Sequence, residues 1–157
     1  MSHLHHYRLS MEWTGNQGTG TDHYRSYKRD HVVRIAGKPD LLGSSDPTFR
    51  GDPARHNPED LLVAALSACH MMSYLHVCVM HGVVVTAYTD EATGTMETLP
   101  DGSGRFLEVI LNPVVVVKEA DMIEKAQELH AQADRLCFIA NSVNFPVQHR
   151  PRCSALG

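Results

Sequence analysis

The sequence predicts a single α+β domain over residues 1–157, and three observations carry that prediction. Residues 61–80 are almost all apolar or small, with no proline or glycine to break them. That run is too long for a strand and reads as one helix. Residues 83–117 hold β-branched runs joined by short turn-rich connections, which leaves no room for helical crossovers. A second helical period appears at 121–136, apolar on one face only. With no internal repeat, low-complexity tract or linker, the chain reads as one α+β domain.

Composition narrows the class. The chain has 157 residues, 43% hydrophobic and 20% charged, which is enough to build a core and argues against disorder. A net charge of -4 disfavours nucleic acid as a partner, and Asp30 interrupts the basic stretch 25–38. Residues 1–12 are polar and histidine-rich with no apolar signal core. Residues 61–80 have the length of a membrane span, but they carry His70, Ser73, Tyr74 and His76 and read better as a core helix. The expectation is a cytoplasmic protein with no membrane partner. In that compartment Cys69, Cys78, Cys137 and Cys153 are catalytic, metal-binding or simply buried, not structurally bridged.

Residues 6–13 alternate and end at Thr14-Gly15-Asn16, a strand and a turn. Residues 21–27 and 31–35 have the aromatic and β-branched content of two more strands, closed by Gly37-Lys38-Pro39. Residues 40–56 are a long irregular stretch rich in glycine and proline, a length typical of functional loops. Asn57 then caps the central helix, Pro58 suits its first position, and Glu59 and Asp60 complement the helix dipole. A helix apolar almost all round is expected to be buried on most sides, and Gly82 stops it.

Residues 83–88, 91–96 and 105–111 read as a three-stranded antiparallel meander, with Pro100-Asp101-Gly102-Ser103-Gly104 as a turn and 113–117 extending the last strand. The second helix is predicted to open at Asp121 with Glu124 completing a capping box. Its buried face is Met122, Ala126, Leu129, Ala133 and Leu136. Residues 143–148 form a final strand, placed at an edge by Pro146.

Cys69 and Cys137 are the candidate chemical pair, each flanked by small or apolar residues on or beside a helix. On spacing alone, two distant thiols of this kind read first as ordinary core cysteines, since free cysteine is among the most buried residue types. The other candidates carry less. His70 lies about 100° around the helix from Cys69, as a packed or interface histidine would. His76, Cys78 and His81 do not share one helical face, so no metal is expected there, and Cys78 reads as core. Cys153 sits in a Pro/Arg-rich tail, and His3, His5 and His6 in a frayed terminus; none receives a role.

Asn57-Pro58-Glu59, the ten-residue step from Glu59 to Cys69, and the later Cys137-Phe138-Ile139-Ala140-Asn141-Ser142 together resemble the OsmC/Ohr family, in its OsmC-like branch. The resemblance runs from the first strands to Asn141. It implies antiparallel sheets wrapped around long central helices in an intertwined homodimer, and a stress-response antioxidant: a cysteine peroxidase reducing organic hydroperoxides, hydrogen peroxide or both. It further implies Cys69 as the peroxidatic cysteine, oxidised to a sulfenic acid, and Cys137 as the resolving one. The reductant is then an external dithiol or protein thiol, and no cofactor is needed. The alternative is a non-enzymatic member of the same fold that binds a ligand or senses redox state.

A thiolate in apolar surroundings needs a cation nearby. Arg50, in the loop before the helix, is the first candidate, and Arg25, in the early strands, is the alternative. Glu59 would hold the arginine, or serve only the helix dipole. Ten residues of regular helix rise about 15 Å, so Glu59 and Cys69 of one chain cannot share a small site. The expectation is a site completed across the homodimer.

Overall fold

A computed structural model describes residues 1–157. The backbone falls into two compact units, Met1–Leu61 and Leu62–Gly157.

In the first unit, β1 (Ser10–Trp13), β2 (His31–Arg34) and β3 (Leu41–Gly43) form an antiparallel sheet in that order. The strand predicted at 21–27 is absent. The Arg29 guanidinium lies 4.4 Å from the Tyr24 ring and 4.0 Å from the Tyr27 ring, and it donates to both of their carbonyls. The aromatics that suggested a strand form a cage for a cation instead. The stretch 40–56 also has structure of its own. It holds β3 and a 3-10 turn, Pro47–Phe49, capped by Asp46 accepting from the Thr48 amide. The Ser44 amide closes the segment by donating to the His56 carbonyl at 2.9 Å.

The central helix α1 spans Pro58–Met80. Asn57 caps it as predicted, its Oδ1 accepting from the Asp60 amide at 2.8 Å. Gly82 ends it at a φ of 71°, which glycine alone adopts without strain. The expectation of burial on most sides is not met within one chain. Leu66, His70, Tyr74, Val77 and Cys78 form one buried stripe. Ala64, Ala68, Met72, His76 and Met80, four residues apart, form a bare one, with Met72 61% and Met80 68% exposed.

The second unit carries two mixed sheets, not a meander. β4 (Val85–Asp90), β7 (Pro113–Val117) and β9 (Arg152–Ala155) form one, in the order β4-β7-β9. β5 (Thr93–Thr98), β6 (Gly104–Leu111) and β8 (Val147–His149) form the other, in the order β5-β6-β8. Residues 113–117 continue the preceding strand but in the opposite sheet, and the switch occurs at Asn112. There Asp90 accepts from the Asn112 amide at 2.7 Å and from the Ser67 hydroxyl of α1 at 2.6 Å. β8 and β9 run parallel to β6 and β7, so the sheets are not purely antiparallel.

Helix α2 (Ile123–Leu136) begins after a 3-10 turn, Ala120–Met122. The predicted capping box does not form, because Met122 occupies the cap with no side-chain bond. Its buried face is Ala126, Leu129, His130 and Ala133, while Leu136 is 44% exposed. One core cluster joins Tyr74, Val77 and Cys78 of α1 to Val115 and Val117 of β7 and to the buried face of α2. A second packs Leu66 of α1 on Val109 and Leu111 of β6. The two clusters lie at successive positions along α1 and frame Cys69 and Cys137.

Candidate active site: a thiol pair

Cys69 lies on α1, half-buried, one position before the buried stripe residue His70. Cys137 terminates α2 and is fully buried. Both are free thiols, and the fold sets them side by side. Burial pushes the Cys137 thiol up to about 11, and hydrogen bonding to the Cys69 side chain adds to the rise. The Ala140 amide, 3.5 Å from Cys137 Sγ, opposes it.

The turn that seats Cys137 is held by its own polar residues. The Asn141 amide donates to the Cys137 carbonyl at 3.0 Å, and Asn141 Nδ2 donates to the Arg135 carbonyl at 3.0 Å. The Ser142 hydroxyl donates to the Phe138 carbonyl at 2.7 Å. Phe138 is 77% exposed and takes no part in the core.

The other predicted site residues, Arg50, Arg25 and Glu59, all belong to the first unit, Glu59 at the opening of α1. Arg50 follows the 3-10 turn with a φ of 64°, the one non-glycine residue at positive φ. It is exposed and lines a cavity of about 270 Å³ with Lys28, Asp30 and Asp52. Arg25 is exposed as well. Glu59 is half-buried, and its Oε2 is sequestered with no hydrogen-bond partner.

Sequence reasoning passed over Arg55. It is the paired arginine of this loop, 3.7 Å from a carboxylate oxygen of Asp30 and of Asp52, and it donates to the His31 carbonyl. Buried Ser44 ties Asp30 to the Asp52 amide in the same network. An arginine inside an apparent loop carries no burial signal, which is why composition could not single it out.

His70 is packed, as its helical offset predicts. Its partner, His130, was missed. Nε2 of His70 and Nδ1 of His130 are 3.0 Å apart, and both rings are buried. The sequence did hold a signal: His130 falls four residues after Ala126 and three before Ala133, a polar residue on an apolar face. His149 of β8 lies against His70 with ring centroids 4.2 Å apart, and its Nε2 is 3.5 Å from Asp134 Oδ1.

Comparisons with known proteins bear on this arrangement. Residues 51–151 match the family model described as OsmC-like protein. An OsmC-like protein of unknown function from Vibrio cholerae O1 biovar eltor is 29% identical, with a TM-score of 0.83 over 95% of this chain and 100% of its own. An organic hydroperoxide resistance protein from Elizabethkingia anophelis shares the fold at 21% identity and a TM-score of 0.67, covering 99% of this chain and 100% of its own. An organic hydroperoxide resistance protein OsmC from Legionella pneumophila does so at 16% identity and a TM-score of 0.70, covering 98% and 99%. No curated protein gives a match. The family match runs from before α1 to beyond β8 and takes in Cys69 and Cys137 together, so this chain belongs to the OsmC-like family.

Proposed function

We propose that this protein is a two-cysteine peroxidase acting on organic hydroperoxides, hydrogen peroxide or both. The observation that carries the reading is the thiol pair: half-exposed Cys69 beside fully buried Cys137. Two related folds bear the name organic hydroperoxide resistance protein, which supports the substrate class.

The Cys69 thiolate attacks the outer oxygen of ROOH. The O–O bond breaks, ROH leaves after taking a proton, and Cys69 is left as a sulfenic acid. The Cys137 sulfur then attacks the Cys69 sulfur, water leaves, and a disulfide closes. An external dithiol or protein thiol returns both cysteines to thiols by exchange, so no bound cofactor is called for. The raised Cys137 pKa keeps that thiol protonated until it resolves the sulfenic acid, and oxidation therefore enters at Cys69.

The working unit in this reading is a homodimer. The bare stripe through Ala64, Ala68 and Met72 is apolar and ends on His76, and a second copy of α1 would cover it. Arg50 supplies the cation and Glu59 holds it, a role supported by the sequestered, unpartnered Oε2.

The test treats reduced protein with one equivalent of cumene hydroperoxide or hydrogen peroxide and maps disulfides by mass spectrometry. A Cys69–Cys137 bond is expected, with peroxide consumed catalytically once dithiothreitol is present. Cys137→Ser should leave Cys69 as a sulfenic acid or a higher oxide. Thiols that stay reduced would overturn the reading and favour a ligand-binding protein. Oxidation without turnover would favour a redox sensor.

A further inference from the structure

We infer that His70 and His130 are positioning residues for the thiol pair: their imidazole–imidazole hydrogen bond sets the α1–α2 spacing at which Cys69 and Cys137 can join. The inference rests on reading those cysteines as a redox pair, and it concerns the disulfide itself, whatever oxidant forms it.

A disulfide tolerates little misplacement, since its Cα atoms must come within about 4.4–6.8 Å with the Cβ vectors converging. Two helices in purely apolar contact can slide by a fraction of a turn at small cost, so something directional has to fix them. The histidine pair has the required placement. His70 is the residue after Cys69 on α1. His130 is seven residues before Cys137 on α2, about 20° from the same face and about 10 Å along the axis.

The bond meets head-on. The rings are within 14° of coplanar with centroids 5.3 Å apart, so the 3.0 Å N···N vector lies close to the line of centres. Tyr74, one turn beyond His70, stacks on His130 at 3.9 Å and donates its hydroxyl to the Ala126 carbonyl, which blocks ring rotation. His149 covers His70 from β8. Nitrogens that face each other leave no common point for an ion, and no cluster of three or more potential ligands converges on one.

The pair is costly where apolar side chains would not be. His70 Nδ1 and His130 Nε2 are buried without partners, so each ring meets only half of its hydrogen-bonding capacity. A leucine pair would fill the space with no such cost but would specify no spacing. Burial holds both imidazoles neutral, pushing His70 down to about 3 and His130 to about 4, so one can donate while the other accepts.

The experiment uses diamide, which takes two electrons and two protons from the thiols and becomes a hydrazine, with no peroxidase chemistry required. The rate of Cys69–Cys137 closure, and its equilibrium against glutathione, are measured for wild type, His130→Phe, His70→Leu, His130→Asn and Leu129→Ala. His130→Phe and His70→Leu should each slow closure by about tenfold or more, since a displacement of an ångström is worth up to about a hundredfold. His130→Asn, whose amide reaches the position of Nδ1, should close nearly as fast as wild type. Leu129→Ala, a buried α2 position in the same core, controls for simple destabilisation and should also close normally.

Normal closure in folded His130→Phe or His70→Leu overturns the inference. Equal slowing in Leu129→Ala, or no rescue by asparagine, does the same. Wild type that closes with diamide but ignores peroxides removes the peroxidase reading and leaves this one standing.

Discussion

Tyr74 and His130 lie face to face, ring centroids 3.9 Å apart and planes within 10°, and the tyrosine hydroxyl donates to the Ala126 carbonyl at 3.0 Å. One side chain of α1 thus makes two kinds of contact with α2, a stacked one and a polar one, and the two can be removed separately. Tyr74→Phe keeps the stack and loses one buried hydrogen bond, at a cost of about 1 kcal/mol. For a chain of this size that lowers Tm by about 2–4 °C. Tyr74→Ala opens a cavity as well and should cost about 3–5 kcal/mol. Thermal melts of the two variants check the separation, and an equal loss in both would show that the stack contributes nothing.

The histidine cluster gives stability a pH dependence whose sign follows from burial. His70 and His130 are held neutral, down to about 3 and about 4, chiefly by burial and then by the neighbouring His149, with His130 also acting on His70. His149 is lowered by burial too, against the pull of Asp134 and Asp90 upward. The unfolded chain therefore binds more protons than the folded one below the ordinary histidine value of about 6.5, so stability rises with pH there. It is complete above that value and is lost as pH falls toward 4, each fully neutral histidine contributing about 1.4 kcal/mol per pH unit. Urea midpoints should hold steady from pH 8 to 7 and fall steeply from 6 to 4.5, with a shallower fall in His130→Asn. A midpoint independent of pH across that window would contradict neutral burial of these rings.

The parts of this fold that were legible in the sequence are those with a local physical cause. Asn57, Pro58 and Gly82 act within one turn of the helix ends, and α1 begins and stops where they say. What was not legible depends on partners distant in the chain. Alternating β-branched residues mark β4 to β7 as strands but do not say that Asn112 passes the chain from one sheet to the other. Three- and four-residue strands such as β3 and β9 are shorter than any periodic signal. At the site, a family motif marked Cys69 and Cys137, and helical spacing explains why His70 turns away from the thiol. The His70–His130 bond joins residues 60 apart, and only the packed helices reveal it.

Cys137 offers the most direct chemical check on the site. Burial, with the Cys69 side chain adding to it, raises its pKa to about 11, so at pH 7.5 very little of it is thiolate. Alkylating agents react with the thiolate. Against an unperturbed cysteine near 8.5, the thiolate fraction is lower by about two orders of magnitude, and burial restricts access further. Iodoacetamide should therefore label Cys137 at least about a hundredfold more slowly in the folded protein than in urea at pH 7.5. Because a raised acid pKa extends the protonated range upward, folded-state labelling should keep rising by about tenfold per pH unit from 8 to 10 without levelling. Peptide-resolved mass spectrometry reads both quantities. Equal rates in folded and unfolded protein would mean that Cys137 is neither buried nor kept protonated, and oxidation would then no longer be directed to Cys69.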